Sequence, residues 1–158
     1  MYPEAGDSAS TFDALCCDGE TFRDRSLENV RGDRGVVLVF DAFAFSAIAR
    51  NWWRRYRRAG WHEFDGVPVY GVGPDGPYAI NAFLRDLDLP FSIFSDANDA
   101  IADAYDLLVE REGMGNIETS RRAVFVLDAE STVRFAWVAD DWIAPVPTDE
   151  VESVVDTL

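Results

Sequence analysis

The chain contains no lysine: all 14 basic residues are arginine, they stand against 29 acids, and the formal net charge is −15. Binding a phosphate backbone needs a basic face, so this balance argues against nucleic acid as a partner. No apolar run approaches the roughly 18 residues a membrane span requires, and no membrane association is expected. Histidine is limited to His62 and cysteine to the adjacent pair Cys16 and Cys17. One histidine and two neighbouring thiols make neither a His/Cys metal centre nor a disulfide framework, so no metal and no cofactor are expected. Met1 to Ser10 (MYPEAGDSAS) is short, polar and acidic, without the basic-then-apolar order of a leader. These absences together predict a soluble, cytoplasmic protein.

What is present is mostly short acid and apolar core. Nineteen of the 29 acids are aspartate, and a surface this acidic repels itself in dilute buffer. Molar salt shortens the screening length to about 3 Å and removes most of that repulsion, which points to a halophilic setting. A chain of 158 residues that is 48% hydrophobic is long enough for one full core and too short for two ordinary domains. Residues 1–158 are therefore read as a single domain.

Phe12 to Cys16, the Asp18-Gly19 turn and Glu20 to Phe22 read as a β-hairpin, with a helical turn at Ser26 to Val30. Val36 to Phe40 (VVLVF) has no polar alternation, the pattern of a strand covered on both faces. Ser46 is placed to cap a helix on which Ile48, Trp52 and Tyr56 share one face and Arg50, Arg54, Arg57 and Arg58 the other. That helix should end near Ala59-Gly60. Val67 to Val72 reads as a second strand. A turn at Gly73 to Pro77 leads into a helix through Ala79, Ile80, Phe83, Leu84 and Leu87. Pro90 to Phe94 reads as a strand, and a helix capped by Ser95-Asp96 extends through Leu108. Leu108 to Ser120 reads as loop, Ala123 to Leu127 and Thr132 to Val138 as a hairpin. Val151, Val154, Val155 and Leu158 mark a closing helix. Strand-helix alternation followed by a hairpin predicts a mixed sheet flanked by helices.

Several strings in this order carry a resemblance: Phe12-x-x-Leu15 with Asp18-Gly19, VVLVF leading to Ala44-Phe45-Ser46, VYGVGPDGPYAINAF, LPFSIFSD with Ala104-Tyr105, and Arg122-Ala-Val-Phe-Val-Leu-Asp128. Together they resemble the peroxiredoxins of the alkyl hydroperoxide reductase and thiol-specific antioxidant type, from about Phe12 to Val138, with 139–158 forming a C-terminal turn and helix. The resemblance implies an α/β, thioredoxin-like fold and an antioxidant oxidoreductase. In that family the turn after the central strand carries a Pro, a Thr or Ser and the peroxide-reducing Cys. Matching Phe45-Ser46 to the family's Phe-Thr puts Ser46 on the hydroxyl, Ala42 on the Pro and Ala49 on the Cys, while Arg122 matches the family arginine. An alanine methyl cannot attack an O–O bond, and no cysteine follows position 17. The expectation is a pseudoenzyme that keeps a pocket near Ser46 and Arg122 for a small anion or a peroxide-like ligand. The structural reading of the same pair is Ser46 as helix cap and Arg122 in a salt bridge.

Two further readings remain open. Cys16 or Cys17 could replace the lost nucleophile and make an active thiol oxidoreductase, although neighbours in a strand point to opposite faces and resist pairing. The Arg- and Trp-rich helix 46–59 could serve as an oligomerisation or interaction module, with a homodimer or another protein as partner; its arginines also have abundant acids to pair with. His62 beside Glu63 is read as a surface or half-buried histidine, and Asp140-Asp141-Trp142 as a solvated acidic turn.

Overall fold

Every residue of the strand Gly35–Phe40 is buried, because both faces of this apolar run are covered. The computed structural model describes residues 1–158. Its elements are β1 (Asp13–Cys17), β2 (Phe22–Ser26), the helical turn α1 (Leu27–Val30), β3 (Gly35–Phe40), α2 (Ala47–Arg58) and a 3₁₀ turn at Trp61–Glu63. Then come β4 (Val69–Gly73), α3 (Pro77–Asp86), β5 (Ser92–Ser95), α4 (Ala100–Ala104), β6 (Leu108–Glu110), β7 (Glu118–Ser120), β8 (Ala123–Asp128), β9 (Val133–Val138) and α5 (Thr148–Thr157).

Seven strands form one mixed sheet in the order β2-β1-β5-β4-β3-β8-β9. The inner strands β3, β4 and β5 run parallel. The hairpin β1–β2 joins one side through an antiparallel β1–β5 ladder, and β8–β9 closes the other antiparallel to β3. This is the predicted α/β architecture. One apolar layer packs α2, α3 and α5 on the sheet through Ala49, Trp53, Ile80, Phe83, Val151 and Val155. The opposite layer holds Leu27, Phe94, Ile101 and Tyr105 with the other face of β3. The adjacent thiols divide between them, Cys17 in the first layer and Cys16 in the second, as strand alternation requires.

Three expectations change. The segment 108–120 is not all loop: β6 and β7 pair as a small antiparallel ladder, and Arg111 holds it by donating to Thr119 Oγ1 at 2.8 Å and to the Ser120 carbonyl at 2.9 Å. The helix predicted to reach Leu108 is only α4, because Asp106 turns left-handed (φ 54) and ends it. Asp96 does serve the start of that helix, its carboxylate accepting from the Ile101 and Ala102 amides, each at 2.9 Å. The arginines of α2 make no ion pair. The salt bridges of the chain are Arg134–Asp128, His62–Glu63 and the N-terminus with Asp106, so the acids are spread in solvent instead of netted to the cations.

The position of α2 follows from one contact. Trp53 is almost fully buried and lies on Gly71 of β4, where a Cβ would stand 2.7 Å from Trp53 Cζ2 and 2.8 Å from Ile93 Cγ1. Only glycine leaves room for the indole. Gly71→Ala should lower stability by about 2–3 kcal/mol through overpacking, read as a reduced midpoint in guanidinium unfolding. An unchanged midpoint would show that the indole does not need this seat.

Candidate functional site

After β3 the chain leaves the sheet through Asp41 and turns into α2 in six residues. The turn carries local strain: Phe45 holds a left-handed backbone (φ 64), unfavourable for a bulky side chain. It is retained because the Phe45 ring packs edge-on against Phe83 at 5.3 Å. Ser46 then caps α2 as expected, its hydroxyl accepting from the Ala49 amide at 3.2 Å and donating to the Phe43 carbonyl at 2.9 Å.

Ala49 is buried in the first turn of α2 and lines a cavity of about 20 Å³ with Asp41, Ala44, Trp53, Asp75 and Phe83 among its walls. That is space for about one water-sized molecule. Neither Ser46 nor Arg122 lines it. The two polar side chains that do are carboxylates, which sequence reasoning passed over. Asp41 accepts from Trp53 Nε1 at 2.6 Å, and Asp75 accepts from the Ala44 amide at 2.8 Å. Burial pushes the Asp41 carboxyl up to about 6, opposed by the indole N–H and by the positive charge of Arg122. Burial also raises Asp75, opposed by the Ala44 amide. The carboxylates show the cavity almost no polar surface and its other walls are apolar, so the site disfavours an anion and suits a small neutral molecule. The signal was an aspartate directly after a fully apolar strand; without a known partner, it read as an ordinary turn residue.

Arg122 is buried, and its expected salt bridge does not form. Its Nη1 donates to the carbonyls of Trp142 at 3.2 Å and Ala144 at 2.8 Å. The guanidinium stands 5.6 Å from the Trp137 ring and 6.0 Å from the Trp52 ring, and Nη2 has no partner. Aromatic faces and backbone carbonyls take the place of the carboxylate, so the residue ties the 139–146 segment to α2. On the far side of that segment Trp142 lies under Arg111, 3.9 Å from guanidinium carbon to ring centre. The Asp140-Asp141 turn is thus anchored, with Asp141 accepting from the Ile143 and Ala144 amides.

Cys16 and Cys17 are both free and buried. Burial pushes their thiols up to about 11 and about 12, leaving at most about one thiolate in ten thousand at neutral pH. Cys17 belongs to the apolar layer that contains Ala49. His62 Nε2 pairs with Glu63 Oε1 at 3.1 Å, beyond the end of α2, and neither residue lines the cavity.

Residues 5–136 match the model of the AhpC/TSA family. A putative peroxiredoxin bcp of Coxiella burnetii is 26% identical over 149 residues, covering 87% of this chain and 89% of that protein. Among solved structures, AhpC of Mycobacterium tuberculosis superposes with a TM-score of 0.81 at 18% identity, covering 99% of this chain and 93% of that one. Peroxidoxin BcpB of the same organism gives 0.81 at 18%, covering 99% of each chain. The reduced 2-Cys peroxiredoxin of Plasmodium vivax gives 0.81 at 20%, covering 99% and 96%. These likenesses are to the fold.

The raised Asp41 has a defined effect on stability. Its folded value lies above the ordinary value, so the folded state holds the extra proton between about pH 4 and pH 6. The stabilisation from the neutral form is complete below that window and is lost as pH rises through about 6. Asp41→Asn keeps an acceptor for Trp53 and removes the titration. From pH 4 to pH 7, wild type should lose about 2–3 kcal/mol more stability than the variant, measured by urea unfolding in 1 M KCl. Parallel curves would show that Asp41 is ordinarily acidic.

Proposed function

The chain belongs to the AhpC/TSA family, and on that footing we propose that it is a peroxiredoxin homologue without thiol peroxidase chemistry. In this reading it holds a small neutral molecule, close to water in size, in the cavity beside Ala49. The observation that carries the reading is Ala49 itself: a methyl group stands in the capped first turn of α2, at the position that the resemblance in sequence assigns to the peroxide-reducing cysteine. A helix N-terminus and a nearby cation lower a thiol's pKa and activate it. Here the first turn survives, but it faces Asp41 and Asp75, and Arg122 spends one nitrogen on backbone carbonyls. These surroundings would not activate a thiol, which supports a reading of the site as one for binding.

The competing function is a thiol oxidoreductase using Cys16 or Cys17. Burial of both thiols and their division between two layers speak against it. The net charge of −15 with so few ion pairs supports a further part of the proposal, a salt-loaded cytosol as the working environment. No helix is long and apolar enough to cross a membrane.

Peroxide consumption in molar salt with a dithiol reductant tests the proposal. Wild type should be silent. Ala49→Cys should gain weak activity, held back by two neighbouring carboxylates that disfavour the thiolate, and Ala49→Cys with Asp41→Asn should gain about tenfold more as one of those charges is removed. Activity in wild type that disappears in a Cys16→Ser, Cys17→Ser double variant would overturn the reading and make this an enzyme.

A further inference from the structure

Arg111 follows β6 directly, and Arg121 and Arg122 carry the chain from β7 into β8. With Ala139, Asp140 and Asp141 they line a polar cleft of about 60 Å³. This cleft shares no wall with the cavity beside Ala49. Three of the chain's 14 cations thus gather around one opening in a protein of net charge −15.

The fold sets these arginines in place. Arg111 lies on the Trp142 ring, 3.9 Å from its centre, and its Nε and Nη2 donate to Thr119 Oγ1 and the Ser120 carbonyl. Nη1 is left without a protein partner. Arg121 is tied through its amide, which donates to the Leu107 carbonyl at 2.8 Å, and the Ala139 amide donates to the Arg122 carbonyl at 2.8 Å, which holds the 139–141 turn beside the cleft. Arg122 is 3% exposed, and its Nη2 is the one buried side-chain nitrogen or oxygen of the chain without a partner.

The positive charge here is not balanced by the chain. No carboxylate stands within ion-pair distance of any of the three arginines. Asp141 is already engaged, accepting from the Ile143 and Ala144 amides. Burial, with the charge of Arg121 added to it, holds the Arg111 guanidinium below its ordinary value, as happens when like charges crowd together without a counterion.

We propose that the cleft is a binding site for a phosphate group. The guanidinium fork matches oxyanions with paired hydrogen bonds. The unused N–H groups of Arg111 and Arg121 outnumber the two oxygens of a carboxylate and suit the four of a phosphate. The volume has space for several water-sized molecules, hence for one small oxyanion. Strong salt leaves such a site standing, because buried and half-buried charges are screened much less than exposed ones, and Arg122 and Arg111 are of those two kinds.

Titration calorimetry with inorganic phosphate, in 1 M KCl near neutral pH, tests the proposal. Wild type should bind one phosphate per chain. Arg121→Gln should weaken binding about tenfold, as loss of a charge-assisted contact does. Asp140→Asn, which removes a negative charge from the wall, should tighten it about threefold. Neither side chain forms an ion pair within the chain, so both variants should unfold at the wild-type midpoint. Acetate should bind at least about tenfold more weakly than phosphate. Methyl phosphate identifies the source: affinity equal to that of phosphate supports a phosphate carried on a larger molecule, and weaker binding supports the free ion. No phosphate binding by wild type, equal affinity for acetate, or an affinity that neither substitution changes would each overturn the proposal.

Discussion

The seat of Trp53 on Gly71 holds α2 against the sheet, and the geometry around the cavity depends on it. The indole fills the space that glycine leaves over β4, packs against Tyr56 and Phe91, and donates its N–H to Asp41 at the end of β3. A single side chain therefore sets the height of the helix and the depth at which Ala49 is buried, while its N–H opposes the rise that burial gives the carboxylate opposite. Moving it would disturb the core and the cavity together, which ties the stability of α2 to whatever the cavity holds.

Around that anchor the charged groups follow two rules. Cations close to the core turn to carbonyls and aromatic faces, as with Arg34, Arg57, Arg111 and Arg122. The acids remain largely in water. Isolated surface ion pairs contribute little in any medium and less in salt, so the chain loses little by not forming them. The exception in composition is α2, where cations crowd together without acids between them.

The broad architecture was legible because it rests on local patterns. VVLVF was a strand buried on both faces, Ser46 a cap, and Cys16 and Cys17 neighbours that must face opposite layers; all three follow from the periods of strand and helix. The order of the strings from Phe12 to Asp128 resembled one family, and the fold and family assignments agree with it. The short ladder of β6 and β7 was not legible, since three-residue strands in a mixed-charge segment carry no periodic signal; Arg111 adds side-chain bonds to Thr119 and Ser120 across it. The early end of α4 depended on a left-handed Asp106, which apolar spacing does not reveal.

The site divides in the same way. Sequence by itself determined which atoms are available: no cysteine beyond position 17, no lysine, a methyl at position 49, and a strong negative charge. Tertiary structure decided what those atoms face. Asp41 and Asp75 are 34 residues apart in sequence and line one cavity only because parallel β3 and β4 bring their ends together, while Arg122 was drawn to carbonyls twenty residues downstream instead of to a carboxylate. Burial then set the protonation of Asp41 and both thiols, because desolvation depends on what the whole fold packs around a group and not on its neighbours in the chain.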